Sequence, residues 1–220
     1  MTAERGDSQH AADRIRAFEQ ASSAEELVVA TRRLTACDDP LATVPHLVRV
    51  LGFNNPGAAV AAVDGLIALG PAAVGPLLTH LDAHNYGARA WAVRALAGIG
   101  DPRGLDVLEE ALATDVGPSV RRAAARGLGA LRLESLPEDD RQRLRERCLE
   151  GLENGRRDGE WVVRYAVAVG FEGLALPLPP AHPHSQRVGT GLRLLLAPEQ
   201  EEARVVRLRA GVALKRLERR

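Results

Sequence analysis

Alanine, leucine and valine recur along this chain at steps of three and four, and glycine or proline interrupts them at short intervals. In "NPGAAVAAVDGLIALG", Val60, Val63, Leu66 and Ile67 share one face of a helix with 3.6 residues per turn. On the helical wheel Val60, Val63 and Ile67 mark the buried stripe, with Asp64 on its flank. The pattern then returns, and Gly57 to Gly70 overlays Gly87 to Gly100. "RRAAARGLGAL" from Arg121 overlays "RAWAVRALAGI" from Arg89, and weaker copies begin at Arg164 and Arg207. Between them lie second helices, "VGPLLTHLDA", "RGLDVLEEALA" and "DDRQRLRERCLEGLE". Helix pairs repeating about every thirty to forty residues predict an all-α chain, an α-solenoid in which each pair buries its apolar face on the next.

Glycine and proline mark the joints. Asp101-Pro102 suits a helix start, with aspartate as N-cap and proline at the first helical position. Gly70 and Gly100 suit helix ends that require a left-handed residue. The spacing predicts N-terminal helices over 10–35 and 41–51, core repeats over 52–174 and a last helix over 198–218, in one domain spanning 1–220. "LALPLPPAHPH" is too rich in proline to continue a helix, so 175–197 is expected to be an excursion.

Composition agrees with helices and narrows the function. Aromatic residues are 3% of the chain, too few for most β-rich cores. With 29 basic and 29 acidic residues the net charge is zero, which argues against a dedicated nucleic-acid binder. Lys215 is the only lysine, so nearly every positive charge is a guanidinium suited to gripping carboxylates. The N-terminus lacks the apolar core of a secretory signal, and no stretch reaches about 18 uninterrupted apolar residues. A soluble, cytoplasmic protein without membrane insertion is expected. Cys37 and Cys148 fit no metal spacing and are expected to be buried thiols in a reducing compartment.

Arg89, Arg121 and Arg164 share one column of the repeat, each preceded by an acid: Asp82, Asp115 and Asp158. An Asp/Arg ladder joining successive turns accounts for them. Repeat structure does not account for Trp91 and Arg94 on the polar flank of their helix. Asp64 and Arg126 are expected on the same side in the neighbouring repeats. Such a side fits a flat, conjugated, acidic ligand, with an aromatic wall, guanidinium forks and a carboxylate for ring N–H groups. A protein-partner surface and plain packing around an Asp64–Arg94 ion pair fit the same residues. His84, beside Asn85 and Tyr86, is a candidate proton donor. His182 and His184 are expected to be solvent-exposed in the proline-rich loop.

"LGFNNPGAAVAAVDGLIALGPAAVGPLL", "NYGARAWAVRALAGIGDPRGLDVL" and "SVRRAAARGLGAL" together resemble the HEAT-repeat phycobilin lyases of cyanobacteria, over residues 47–133. Within that family they resemble the smaller, F-type (beta) subunit of the heterodimeric phycocyanobilin lyase. The resemblance implies a right-handed α-solenoid of HEAT-like helix pairs that works with a larger E-type (alpha) subunit. It implies an open-chain tetrapyrrole, phycocyanobilin, bound as substrate, with no prosthetic group or metal. The acceptor would be a cysteine of a phycobiliprotein, the phycocyanin α-subunit, whose thiolate adds to the ethylidene group of ring A. Isomerising relatives carry a His-Cys pair where this chain reads Phe53-Asn54-Asn55-Pro56, so attachment without isomerisation is implied. Asp64 and His84 are the candidate catalytic groups. Tyr86, Trp91 and Arg94 are the candidate bilin-facing residues, with Arg89 and Arg121 behind them. A non-catalytic HEAT scaffold and a bilin-detaching factor are the other readings.

Overall fold

The computed structural model describes residues 2–37, 39–80 and 84–220. Among them every regular element is an α-helix or a short 3₁₀ turn. The helices gather into two compact units, residues 1–99 and 100–220.

The first unit contains α1 (Thr2–Glu19), α2 (Ala24–Thr35), α3 (Pro40–Val50), α4 (Pro56–Leu69), α5 (Val74–His80) and α6 (Tyr86–Ile99). They form two layers. In one, α3 packs against α1 and α5; in the other, α4 packs against α2 and α6. Small residues set the seam. A Cβ added to Gly65 would lie 2.2 Å from Thr35 Cγ2, and one on Gly98 would lie 2.3 Å from Ile67 Cδ1.

The N-terminal region is two helices where one was expected over 10–35. Ser23 caps α2 by accepting from the Glu26 N–H (3.1 Å), and Glu26 accepts in return from Ser22 N (2.8 Å). That reciprocal cap ends the helical period locally. Val60 also departs from expectation, being 45% exposed. Packed among α2, α3 and α6, α4 buries alanines on several sides, including Ala58, Ala59, Ala61 and Ala62. Beyond Pro56 at its start, only the strip of Gly57, Val60, Asp64 and Ala68 is exposed.

Pro56–His80 is long and apolar enough to cross a membrane by length and composition alone. It is instead two core helices, because Gly70 at φ 64° turns the chain between α4 and α5. Gly100, at φ 67°, fills the corresponding place at the end of the next repeat, so both expected left-handed glycines are found.

The second unit comprises α7 (Leu105–Thr114), α8 (Pro118–Leu128), α9 (Glu138–Gly155), α10 (Trp161–Ala175), α11 (Pro183–Leu196) and α12 (Arg204–Glu218). Here α9 packs against α7 and α11, while α10 packs against α8 and α12. Asp101 caps the 3₁₀ turn Pro102–Gly104 that leads into α7. The excursion expected over 175–197 is mostly helix α11. Pro183 occupies its first turn, where proline lacks no needed donor, and His182 caps it by accepting from His184 N (3.1 Å). His184 in turn reaches Glu146 on α9 (2.8 Å), so neither histidine is the exposed loop residue expected.

The Arg/acid ladder is present in this unit. Arg121 donates Nε and Nη2 to Asp158 (2.7 and 3.0 Å), and its Nη1 to the carbonyls of Asp115 and Val116. Arg164 repeats every bond, with Glu201 as its acid (2.6 and 2.8 Å) and Asp158 and Gly159 as its carbonyls. Arg207 keeps the carbonyl contacts, to Glu201 and Glu202. Asp82, the first acid assigned to the ladder, lies outside the described residues.

Burial pushes the Asp158 and Glu201 carboxyls up, but the arginine fork and a backbone N–H hold both below the ordinary carboxylate range. A depressed folded value means that the ladder's contribution is complete above about pH 5 and is lost as pH falls through about 4 and below. Arg164→Ala strands Glu201, which is 2% exposed, and is expected to cost about 3–5 kcal/mol in chemical denaturation. Arg103→Ala, which breaks the more open pair with Asp101, is expected to cost less than about 1 kcal/mol. The gap between these two variants should close as the pH is lowered from about 5 to 2.

Candidate functional site

In the first unit the second-layer helices are tied together at their N-termini. Asn55 accepts from Ala58 N (3.0 Å) to cap α4, while its Nδ2 donates to the Ala24 carbonyl at the start of α2 (2.9 Å). Asn85 does the same for α6, accepting from Ala88 N (3.1 Å) and donating to the Gly52 carbonyl (3.1 Å). The Asn-Asn-Pro-Gly and Asn-Tyr-Gly blocks therefore fix how far each helix slides along its neighbour.

That register decides what shares the outer face. Counting equally from the caps Ser23, Asn55 and Asn85 reaches Arg32, Asp64 and Arg94, all exposed. Arg32 was not expected; only its place relative to Ser23 reveals it, and the one-helix reading of 10–35 hid that cap. Trp91 is partly buried, and the Arg94 guanidinium lies over its ring at 5.1 Å. No ion pair joins Asp64 to Arg94 among the described residues, which removes the pairing that would have made both purely structural.

Tyr86 and Arg89 form a second such pair at the start of α6, with the guanidinium 5.6 Å from the ring centroid. On the wheel this pair lies roughly 140° around the axis from Trp91 and Arg94. The structure thus makes two cation–aromatic pairs where a single surface was expected. His84 is exposed in the turn directly before α6. Arg121 and Arg126 belong to the second unit, where the Arg121 fork is spent on Asp158 and two carbonyls and is not left for a ligand.

Neither cysteine offers a nucleophile. Cys37 and Cys148 are free and buried, and burial pushes the Cys148 thiol up to about 12. Among the described residues no cluster of three or more His, Cys, Asp or Glu side chains is placed to hold a metal.

The model for HEAT repeats matches residues 44–129 and 76–168. The chain is 56% identical to "Phycocyanin alpha phycocyanobilin lyase CpcF" of Synechocystis sp. (strain PCC 6803), over 73% of this chain and 75% of that one. The chain belongs to the HEAT-repeat family of phycobilin lyase subunits. "Bilin biosynthesis protein RpcF" of Synechococcus sp. (strain WH8020) is 49% identical over 91% of this chain and 92% of its own length. Among solved structures, the complex of CpcE and CpcF of phycocyanin lyase from Nostoc sp. PCC7120 superposes with a TM-score of 0.71 at 44% identity. It covers 79% of this chain and 98% of that one. A designed armadillo repeat protein at 17% identity, with a TM-score of 0.55, shares the fold alone.

Because Asp64 and Arg94 face solvent, Asp64→Asn and Arg94→Ala are each expected to change the unfolding free energy by less than about 1 kcal/mol. Asn85→Ala loses a cap and a buried tie, and is expected to cost about 1–3 kcal/mol. Urea denaturation of the three variants checks the contrast.

Proposed function

We propose that this lyase subunit acts as the smaller partner of a heterodimer that attaches phycocyanobilin to a cysteine of the phycocyanin α-subunit. The observation that carries the site is the Trp91–Arg94 stack on α6, with the exposed carboxylate of Asp64 at the equivalent position of α4, which packs against α6. Trp91 packs a pyrrole ring, Arg94 pairs a propionate and Asp64 accepts from pyrrole N–H groups. Tyr86 with Arg89, and His84, flank this row from the N-terminal end of α6.

In the reaction, the acceptor's thiolate forms a C–S bond to the ethylidene carbon of ring A. The displaced π pair moves into the ring system, and an acid delivers one proton to it; His84 is the assigned donor. The buried Cys148 and Cys37 agree with a nucleophile that comes from the acceptor. Catalysis is then positioning and proton delivery. The stretch Phe53–Pro56 is occupied by the cap of α4 and carries no His-Cys pair, which supports attachment without isomerisation.

The last helix supports a second subunit. On one side α12 exposes Val205, Leu208 and Val212, an apolar strip of the kind that a protein partner covers. We assign this face to the larger subunit. Leu208→Glu is expected to abolish co-purification with that subunit while leaving the chain folded by circular dichroism; retained co-purification moves the interface elsewhere.

Co-expression of both subunits with phycocyanobilin and apo-phycocyanin α-subunit should give a covalent, fluorescent adduct whose bilin spectrum is not isomerised. Trp91→Ala and Arg94→Ala should each slow adduct formation by about tenfold or more, without matching losses in stability. An adduct formed equally well without this chain overturns the reading. Binding of a protein partner with no change in the bilin absorption spectrum makes it a scaffold.

A further inference from the structure

The surface arginines of α9 are paired. Arg143 meets Asp140, Arg141 meets Glu138, and Arg147 meets Asp106 and Glu109. Arg145 differs. It is 5% exposed, and no hydrogen bond or ion pair engages its guanidinium among the described residues. Its stem is buried, but its guanidinium nitrogens are not shut off from solvent without a partner, so what the charged end faces decides what it can bind.

Arg145 lines a cleft of about 430 Å³ in the second unit, within the range of small-molecule sites. One wall is the segment after α8, with Leu131 and Leu133; the other is the end of α10, with Leu174, Leu176 and Pro177. The floor is rigid. The end of α8 and α10 meet backbone to backbone, so that a Cβ on Gly129 would lie 2.2 Å from the Gly170 carbonyl oxygen. Burial pulls the Arg145 guanidinium below the ordinary arginine value, and the Arg141 charge adds to the effect. Arg132 and Glu134 also line the cleft and offset each other, so the lining carries one net positive charge, which suits a monoanion better than a dianion such as phosphate.

We propose that this cleft binds a carboxylate carried on an apolar body, with Arg145 gripping the anion and the leucine walls holding the body. One guanidinium forks onto one carboxylate, and the walls offer contact to carbon. A propionate arm of a tetrapyrrole has this chemistry, and that source rests on the function proposed above. An acidic side chain of a protein partner has it too.

The test uses the full chain and two probes, 3-phenylpropionate and its amide, followed by saturation-transfer NMR and titration calorimetry. The acid is expected to bind and the amide not. Arg145→Met should weaken the acid by about tenfold or more while leaving the thermal midpoint unchanged or higher. Equal binding of acid and amide, or no binding of either, overturns the site. So does a lower thermal midpoint for Arg145→Met, because it would mean that Arg145 is already paired within the fold. Phycocyanobilin and its dimethyl ester then separate the sources. A free-acid advantage lost in Arg145→Met makes the tetrapyrrole the ligand. An acid-selective probe site with no such advantage assigns the carboxylate to a protein side chain. Neither result depends on whether the lyase assay yields an adduct.

Discussion

The turn that precedes each second-layer helix is the constraint on which the rest depends. Stacking helix pairs brings the N-termini of α4, α6, α8 and α10 toward neighbouring chain, where their free N–H groups and the facing carbonyls must still be bonded. The two units solve this differently. In the first, a single asparagine does both jobs: Asn55 and Asn85 cap with the oxygen and tie with the amide nitrogen. In the second, an acid three residues before the helix accepts from the N–H of the N-cap residue, as in Asp115 with Gly117 and Asp158 with Glu160, and arginine supplies the tie. Both devices lock the axial register. The row Arg32, Asp64, Arg94 is a consequence of that register rather than of any contact among the three.

Much of this was legible in the sequence because caps and joints are short-range signals. The Asp-Pro start, the glycines at 70 and 100 and the Arg/acid column all belong to turns whose chemistry is local. What was not legible depended on neighbours. Val60 was placed in the core because an isolated helix has one apolar stripe, whereas α4 touches other helices on several sides and spreads its burial over alanines. The ladder's last acid, Glu201, was missed because glutamate stands where aspartate stood in the earlier turns. Proline misled in the other direction. Four prolines between residues 177 and 183 suggested irregular chain, yet Pro183 lies in the one turn of a helix that tolerates it.

The site shows the same division. Trp91 and Arg94 could be paired from spacing alone, because i and i+3 meet on any helix. That Tyr86 and Arg89 would form their own pair followed from the same rule, and the wheel already separated them from Trp91. Arg121 could not be judged without coordinates, since its Asp158 partner is 37 residues away. The cysteines are buried as expected: Cys148 sits between Arg147 and Leu149 inside α9, where burial keeps its thiol protonated at neutral pH, and Cys37 is buried just after α2.

The distribution of guanidinium groups ties these points together. Lysine is nearly absent, so arginine supplies nearly every cation, and hydrogen bonding tells the forks that hold the fold together from those that are not engaged. Arg121, Arg164, Arg187 and Arg209 each meet a carboxylate that holds their donors in place. A planar fork already filled by a fixed carboxylate can take a second anion only by giving up the first, at the cost of stranding a buried acid. Arg94 has a ring under it and no paired acid, and Arg145 has leucine walls around it, with Glu134 in the cleft lining but no carboxylate in an ion pair with it among the described residues. Where the fork is not filled in this way, as at Arg94 over its ring and Arg145 at the edge of its cleft, the guanidinium keeps its donors without displacing a fixed acid.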